Sequence, residues 1–333
     1  MRVAVVFNLR REATAKGDAG ATAGIEAEYD TADTVDAVLA AVRAAGHQAW
    51  PVEAVADCPE RLRRDPPDLV FNLAEGMPAE GREAQVPAVC DLLGIPYTGS
   101  RVPALALCLD KALTKRVLLQ QGIPSPGFTV VPVGEAPAPG PLRFPLFVKP
   151  VREGSSMGVS PHSLVRAAAA LAAQVAEIHA AYDQPALVEE FLSGREFTVG
   201  ILGNDDPLVL PVTEIDYGQV PPGYPAVYSY QFKKEWDGNR FYPCPARLDP
   251  GLLARVRDTA LAAYRAVRCL DVGRVDLRLD ASGTPHVLEI NPLPGLAPGF
   301  SDLPRQAEAA GMPYEALVAA ILRHAQERHG LTA

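Results

Sequence analysis

Gly273-Arg274-Val275-Asp276-Leu277-Arg278-Leu279-Asp280, then Ala281-Ser282-Gly283-Thr284, then Pro285-His286-Val287-Leu288-Glu289-Ile290-Asn291, is the most regularly patterned part of the chain. Two runs alternate apolar and polar residues around a short polar turn that contains glycine, the pattern of a β-hairpin. A turn centred on Ser282-Gly283 sets Asp276 opposite Glu289 and Arg274 opposite Asn291. Side chains repeat every second residue along a strand, so these four share one face. Directly opposed Cβ atoms lie about 5 Å apart, and two carboxylates at that distance repel. A positive charge is therefore expected between them, and an all-oxygen set suits Mg²⁺ or Mn²⁺. A one-residue slip in register turns half of the set to the other face. A surface hairpin with ordinary polar faces is the competing reading.

The rest of the composition narrows the class. With 333 residues, 48% hydrophobic and 21% charged, the chain is long enough for two or three domains with real cores. A net charge of -9 argues against a general nucleic-acid or anionic-membrane binder, so anionic ligands need local Lys and Arg. The five cysteines are scattered with no CxxC pair and read as reduced cytoplasmic thiols. The six histidines form no metal-binding spacing. No stretch reads as a membrane span or a signal peptide.

Upstream, residues 1 to about 101 alternate strand and helix: strand Val3–Phe7, helix Asp33–Ala45, strand Gln48–Val52, strand Pro67–Asn72 and a short fourth strand Gly94–Tyr97. That order predicts a small parallel sheet covered by helices. The polar loop Leu9 to Glu28 is long for its place, as functional loops often are. Leu109 to Gln121 is expected as one helix carrying Lys111 and Lys115 on one face, Lys115 as a solvated surface lysine. Strand Phe144–Pro150 ends in Lys149 and runs into Glu153-Gly154-Ser155-Ser156-Met157-Gly158, a loop that can turn successive backbone N–H groups toward a phosphate. It is neither a Walker A loop nor GxGxxG, which disfavours a nicotinamide dehydrogenase. Ala186 to Ile201 reads as a second hairpin holding Glu189, Glu190, Leu192 and Glu196. Acidic groups among so many apolar neighbours need partners such as a ribose hydroxyl, an adenine amine or lysines. Residues 213 to 242 mix aromatic and cationic side chains and read as a lid over a charged substrate.

Read together, these segments resemble the ATP-grasp superfamily and, within it, the D-alanine–D-alanine ligases, from about Phe71 to His329. The resemblance rests on Ile95-Pro-Tyr-Thr-Gly-Ser100, Asp110-Lys111-Ala-Leu-Thr-Lys115, Val148-Lys149-Pro150 with Glu153 to Gly158, Val188 to Glu196, and Arg274-Val-Asp276 with Glu289-Ile-Asn291-Pro-Leu-Pro-Gly295. It implies an α/β fold of three domains: a parallel α/β domain at 1–101, a central lid domain at 102–195 and a mixed-sheet catalytic domain at 196–333. ATP lies between the last two. It also implies that Lys111 and Lys149 contact the phosphates and that Glu153, Ser155, Ser156 and Gly158 form the phosphate loop. Glu189, Glu190 and Leu192 hold adenine, and Glu196 the ribose. Asp276, Glu289 and Asn291 ligate two Mg²⁺, while Arg274 and Lys233 serve catalysis. A homodimer is implied by the resemblance alone. The implied reaction is an acyl phosphate formed from ATP and trapped by an amine.

The substrate positions depart from the family. The GGxSxExxVS segment is missing, and counting back from the Ala45-Gly46 helix end places Tyr29 at its glutamate, between Glu28 and Asp30. The histidine of FNxxHG is Glu75, and the lysine–tyrosine pair of the lid is Lys233-Lys234. The loop that holds the second substrate keeps Gly295 but has Phe300 near the position of its serine, with Ser301 next to it. Glu28, Asp30 and Glu75 are the candidate ammonium ligands, and Gly295 and Ser301 the candidate carboxylate ligands. The alternatives are a ligase of another amino acid, peptide or acid, and an ATP-binding regulatory protein without turnover.

Overall fold

The computed structural model describes residues 1–11, 26–138, 140–221, 224–229, 232, 235–236, 238 and 240–331. Lys233, Lys234 and most of the Leu9 to Glu28 loop lie outside the described residues.

The chain opens with β1 (Arg2–Phe7), an almost fully buried strand. Helix α1 (Ala32–Ala44) follows, started by the Thr31 side chain accepting the Thr34 N–H at 3.3 Å. Then come β2 (Gln48–Glu53), α2 (Cys58–Arg64), β3 (Leu69–Asn72) and α3 (Gln85–Leu93). The three strands form a parallel sheet in the order β2-β1-β3. The expected fourth strand is only a bridge, Val70 to Tyr97. The buried turn at Thr98-Gly99 carries the chain away from the sheet: Thr98 Oγ1 takes the Asn72 N–H at 2.9 Å, and Gly99 has φ +84°.

The single helix expected over 109–121 is two helices, α4 (Val102–Leu109) and α5 (Lys111–Gln120). Asp110 breaks them: its backbone is extended and its carboxylate caps the Leu113 N–H at 2.9 Å. A second sheet then forms from β4 (Phe128–Val131), β5 (Leu146–Pro150), β6 (Leu164–Val165) and, after α6 (Ala168–Tyr182), β7 (Ala186–Glu190), in the order β4-β7-β5-β6.

Ala186 to Ile201 is not a hairpin. Strand β8 (Glu196–Leu202) belongs to a third sheet with β9 (Leu208–Val209), β10 (Thr213–Ile215), β11 (Val272–Leu279) and β12 (Pro285–Asn291), on the path β10-β8-β11-β12. β7 already has β4 and β5 on its two edges, so β8 pairs elsewhere. Residues 191–195 carry the chain between the sheets and edge the cleft between them.

Helices α7 (Pro250–Ala266), α8 (Asp302–Ala309) and α9 (Tyr314–His329) complete the chain. One apolar core joins β1, α1 and β3 to Val272, Leu303, Leu317 and Ile321, so the C-terminal helices pack onto the N-terminal sheet. Asp271, which is completely buried, fixes this junction: it takes Arg328 Nη2 at 2.8 Å and the Gly99 N–H at 2.8 Å. No helix among the described residues is long and apolar enough to cross a membrane.

Candidate active site

The β11–β12 pairing sets Arg274 opposite Asn291 and Asp276 opposite Glu289. The route to that register differs from the simple one. Leu279, Arg278 and Leu277 pair with Pro285, His286 and Val287, which centres the turn on Ser282. The register then shifts by one residue between Asp276 and Leu277. The extra residue is Leu288, a β-bulge, and bulges of this kind re-aim side chains beside active sites. Leu288 and Glu289 therefore line the same cavity although they are neighbours in a strand.

Asp276 is held tightly. Arg274 donates from Nε and Nη2 to its two oxygens at 3.1 and 3.0 Å, Asn291 donates from Nδ2 at 3.0 Å, and the Thr198 hydroxyl also bonds it. Burial opposes the Arg274 charge, but Asp276 outweighs it and keeps the guanidinium protonated. Glu289 faces Lys111 Nζ at 3.5 Å. The positive charge expected between the carboxylates is thus present as side chains on either flank. Among the described residues no group of three His, Cys, Asp or Glu gathers at metal distance. Two opposed carboxylates and one carboxamide on one strand face make an all-oxygen set that fits a hard divalent cation.

On one side of this face lies a cavity of about 90 Å³. Phe147, Phe191, Leu192, Met157, Val227 and Leu288 give it apolar walls, and Lys149, Glu153, Ser156, Glu190, Glu196 and Arg278 its polar groups. Apolar walls with few convergent polar groups suit a flat heteroaromatic ring with a charged tail.

Glu189 also borders the cavity, but its carboxylate is occupied by protein: Lys149 Nζ at 2.9 Å on one oxygen, Lys115 Nζ at 2.8 Å on the other. Lys115 is not a surface lysine. It is 1% exposed and also donates to Ser125 Oγ at 3.0 Å. Its helix face is turned inward because Glu189 supplies the countercharge that a buried ammonium requires. Burial alone would raise the Glu189 carboxyl, and the two lysines outweigh it and hold it below its ordinary range. Burial lowers Lys115, whereas Glu189 outweighs burial and raises Lys149.

Glu190 accepts the Arg143 N–H at 3.2 Å. The Glu153 carboxylate takes Gln184 Nε2 at 2.6 Å, and its backbone oxygen takes Lys111 Nζ. Ser156 Oγ donates to the Tyr228 carbonyl at 2.8 Å, which ties the 154–158 loop to the 213–242 segment. Ser155 lines the neighbouring cavity instead. Gly158 lines neither; its φ is +69°, and a Cβ there would stand 2.4 Å from Pro150 Cγ, so it allows close packing of loop on strand. Glu196 is buried and accepts from Arg278 Nη1 at 2.9 Å and from the Tyr217 hydroxyl at 2.8 Å.

The second cavity, about 180 Å³, has two unlike ends. Arg274, Gly295, Ser301 and Arg305 line one, and Glu28, Glu75 and Glu83 the other. Glu28 pairs with Arg82 at 2.6 Å, both side chains buried, and Arg82 also donates to the Arg152 carbonyl at 2.8 Å. Burial, then neighbouring carboxylates, push Glu75 well above the carboxylate range, and the same causes raise Glu83 to about 7. Asp30 lines an adjoining smaller cavity with Glu28, Glu75 and Gly295, and burial raises it to about 7. Tyr29 hydrogen-bonds the Gly76 carbonyl at 3.0 Å. Ser301 Oγ accepts the Ala297 N–H at 3.1 Å. Phe300 is 61% exposed at the cavity edge.

Arg82, Glu83, Tyr217 and Arg278 were not picked out from the sequence. Arg278 carried a signal, since it continues the Arg274, Asp276 alternation on one strand face.

Comparison with known proteins identifies the family. The family model described as the D-ala D-ala ligase C-terminus matches residues 134–323. The D-alanine–D-alanine ligase of Gloeobacter violaceus is 37% identical over 291 residues, covering 86% of this chain and 91% of that one. An uncharacterised protein of Sinorhizobium fredii, y4sG, is 38% identical over 302 residues and 88% of each chain. A crystal structure of D-alanine–D-alanine ligase from Bacillus anthracis complexed with ATP superposes with a TM-score of 0.76 at 24% identity, over 99% of both chains. The fold and sequence define an ATP-grasp ligase of the carbon–nitrogen bond-forming class. The chain belongs to the D-alanine–D-alanine ligase family.

Proposed function

We propose that the protein joins the carboxylate of one amino acid or peptide to the amine of another at the expense of ATP, through an acyl phosphate, with release of ADP and phosphate. D-Alanine is the first candidate substrate. The observation that carries this reading is that the two cavities share Lys111, Tyr228 and Glu289 on their common wall. A nucleotide in the apolar cavity presents its terminal phosphate there, beside a carboxylate held in the second.

Adenine is proposed to lie between Phe147, Phe191 and Leu192, with Glu189 and Glu190 contributing through backbone groups. Glu196 takes the ribose, and Lys149, Lys111 and the 153–156 loop take the phosphates. Asp276, Glu289 and Asn291 would hold divalent metal, Mg²⁺ or Mn²⁺, which when bound neutralises phosphate charge. In the second cavity Arg274 and the Gly295–Ser301 loop orient the carboxylate, and Glu28, Glu75 and Glu83 face the ammonium. Fixed charge at Arg274 stabilises the oxyanion as the amine adds. The 154–158 loop and the 213–242 segment, joined at Ser156 and Tyr228, exclude water from the activated acid. The reading also holds the three domain bounds 1–101, 102–195 and 196–333, and a cytoplasmic, dimeric enzyme.

The test is phosphate release from Mg-ATP over a panel of D- and L-amino acids and dipeptides. D-Alanine-dependent release, lost in Asp276→Asn, supports the reading in full. Release with another amino acid alone replaces the substrate. ATP binding with no release across the panel sinks the ligase reading in favour of the regulatory one.

A further inference from the structure

We propose that Arg278 is a nucleotide-positioning residue that aims the Glu196 carboxylate at the ribose hydroxyls. This rests on the reading of the first cavity as the ATP site. Arg278 is 5% exposed, lines that cavity, and stands directly across β8–β11 from Glu196.

Its guanidinium joins three separate parts of the chain. Nη1 donates to Glu196 Oε2 and to the Ala226 carbonyl, both at 2.9 Å. Nε donates to the Gly194 carbonyl at 3.2 Å, in the segment between the two sheets. Its Cζ lies 4.5 Å from the Phe191 ring centre and 5.4 Å from that of Tyr217. The Tyr217 hydroxyl also reaches Glu196 Oε2, at 2.8 Å.

Both protein donors thus converge on one oxygen of Glu196. Among the described residues no hydrogen bond reaches Oε1, and Glu196 lines the cavity. A carboxylate held by one edge presents its other oxygen in a fixed direction, and a hydroxyl-bearing ligand is what that oxygen can accept from. A lysine at 278 keeps the charge but lacks the planar fork, so it cannot hold Glu196, Ala226 and Gly194 together.

Calorimetric titration of the whole protein with Mg-ATP and with Mg-2′,3′-dideoxy-ATP tests this, for the unaltered chain, Arg278→Lys and Tyr217→Phe. A hydrogen bond to a charged group corresponds to about a tenfold difference, so the unaltered chain should prefer ATP by roughly that factor. Arg278→Lys should weaken ATP about tenfold and dideoxy-ATP less than about threefold, raising KM for ATP while kcat at saturation stays within about threefold. Tyr217→Phe, which removes one hydroxyl and no packing volume, should show the same selectivity at smaller size. Equal loss for both nucleotides, or no loss, overturns the assignment and leaves Arg278 as packing. If the unaltered chain binds neither nucleotide, the ATP reading fails and this inference with it.

Discussion

Replacing Lys115 by methionine is the sharpest test of how the nucleotide wall is built. Lys115, Glu189 and Lys149 form a buried line of alternating charge, with contacts of 2.8 and 2.9 Å and Glu189 only 3% exposed. Methionine fills the volume and removes the charge. Taking one partner from a buried ion pair costs roughly 3–5 kcal/mol because the other is left uncompensated. Lys149 remains beside Glu189, so the lower end, roughly 3 kcal/mol, applies. That corresponds to a fall of about 6–12 °C in melting midpoint for a cooperative unit of 150–250 residues. The loss should depend on pH. Glu189 has a lowered pKa in the folded protein, so its contribution is full above the unfolded carboxyl value and disappears as pH falls through the folded one. The variant keeps only the Lys149 part of this contribution, so the gap between the two proteins is widest near neutrality and narrows in acid. Circular dichroism melts of both proteins from pH 7 to pH 4 measure it. A shift under about 2 °C at pH 7 refutes the reasoning, as does a gap that widens in acid.

Three further outcomes follow from the same geometry. Asp276→Asn and Glu289→Gln should each lower substrate-dependent phosphate release by about a thousandfold, the scale of losing a preorganised charge from a transition state; the circular dichroism melt of Glu289→Gln should stay close to the unaltered protein, whereas Asp276→Asn, which leaves the Arg274 guanidinium without its carboxylate partner, should also melt lower. Glu83 is raised to about 7, neutral below that pH and anionic above it. KM for the substrate whose carboxylate is activated, and whose ammonium these groups face, should therefore fall as pH rises from 6 to 8, and Glu83→Gln should flatten the profile; an unchanged profile removes Glu83 from the site. Gly158→Ala places a methyl 2.4 Å from the Pro150 ring at φ +69°, so the 154–158 loop must shift, with weaker ATP binding by titration and a lower melting midpoint.

How far the sequence reveals these features depends on the range of the interaction. The hairpin was legible because a two-residue period and a turn are local, and its four facing residues were read before any tertiary contact. Even so, the turn centre was one half-step off and the bulge at Leu288 compensated for it. Bulges follow from what packs on the two faces, which periodicity does not show. The 186–201 segment failed for the same reason: alternation predicts two strands, but only the competition for edges of β7 decides that β8 joins another sheet. Lys115 failed because a lysine reads as exposed until its partner, 74 positions away at Glu189, is known. Arg278 is legible in the sequence, since it stands on β11 at the same two-residue spacing as Arg274 and Asp276.

The two cavities also differ in how their charge is settled, and this bears on substrate choice. In the nucleotide wall most charges meet a partner of opposite sign: Lys149 and Lys115 on Glu189, Arg278 on Glu196, Arg274 on Asp276. At the acidic end of the second cavity Glu28 has Arg82, whereas no hydrogen bond or ion pair among the described residues reaches the Glu75 or Glu83 carboxylate. Both are raised, which means that the folded chain leaves the anionic forms costly. A bound ammonium lowers that cost directly, so its binding should draw protons off these groups. Calorimetry at pH 7 in two buffers of different ionisation enthalpy should register proton release when the substrate that carries this ammonium binds, and Glu75→Gln with Glu83→Gln should abolish it. Binding with no buffer dependence in the unaltered protein would mean that the ammonium sits elsewhere, with Asp30 in the adjoining cavity as the next residue to test.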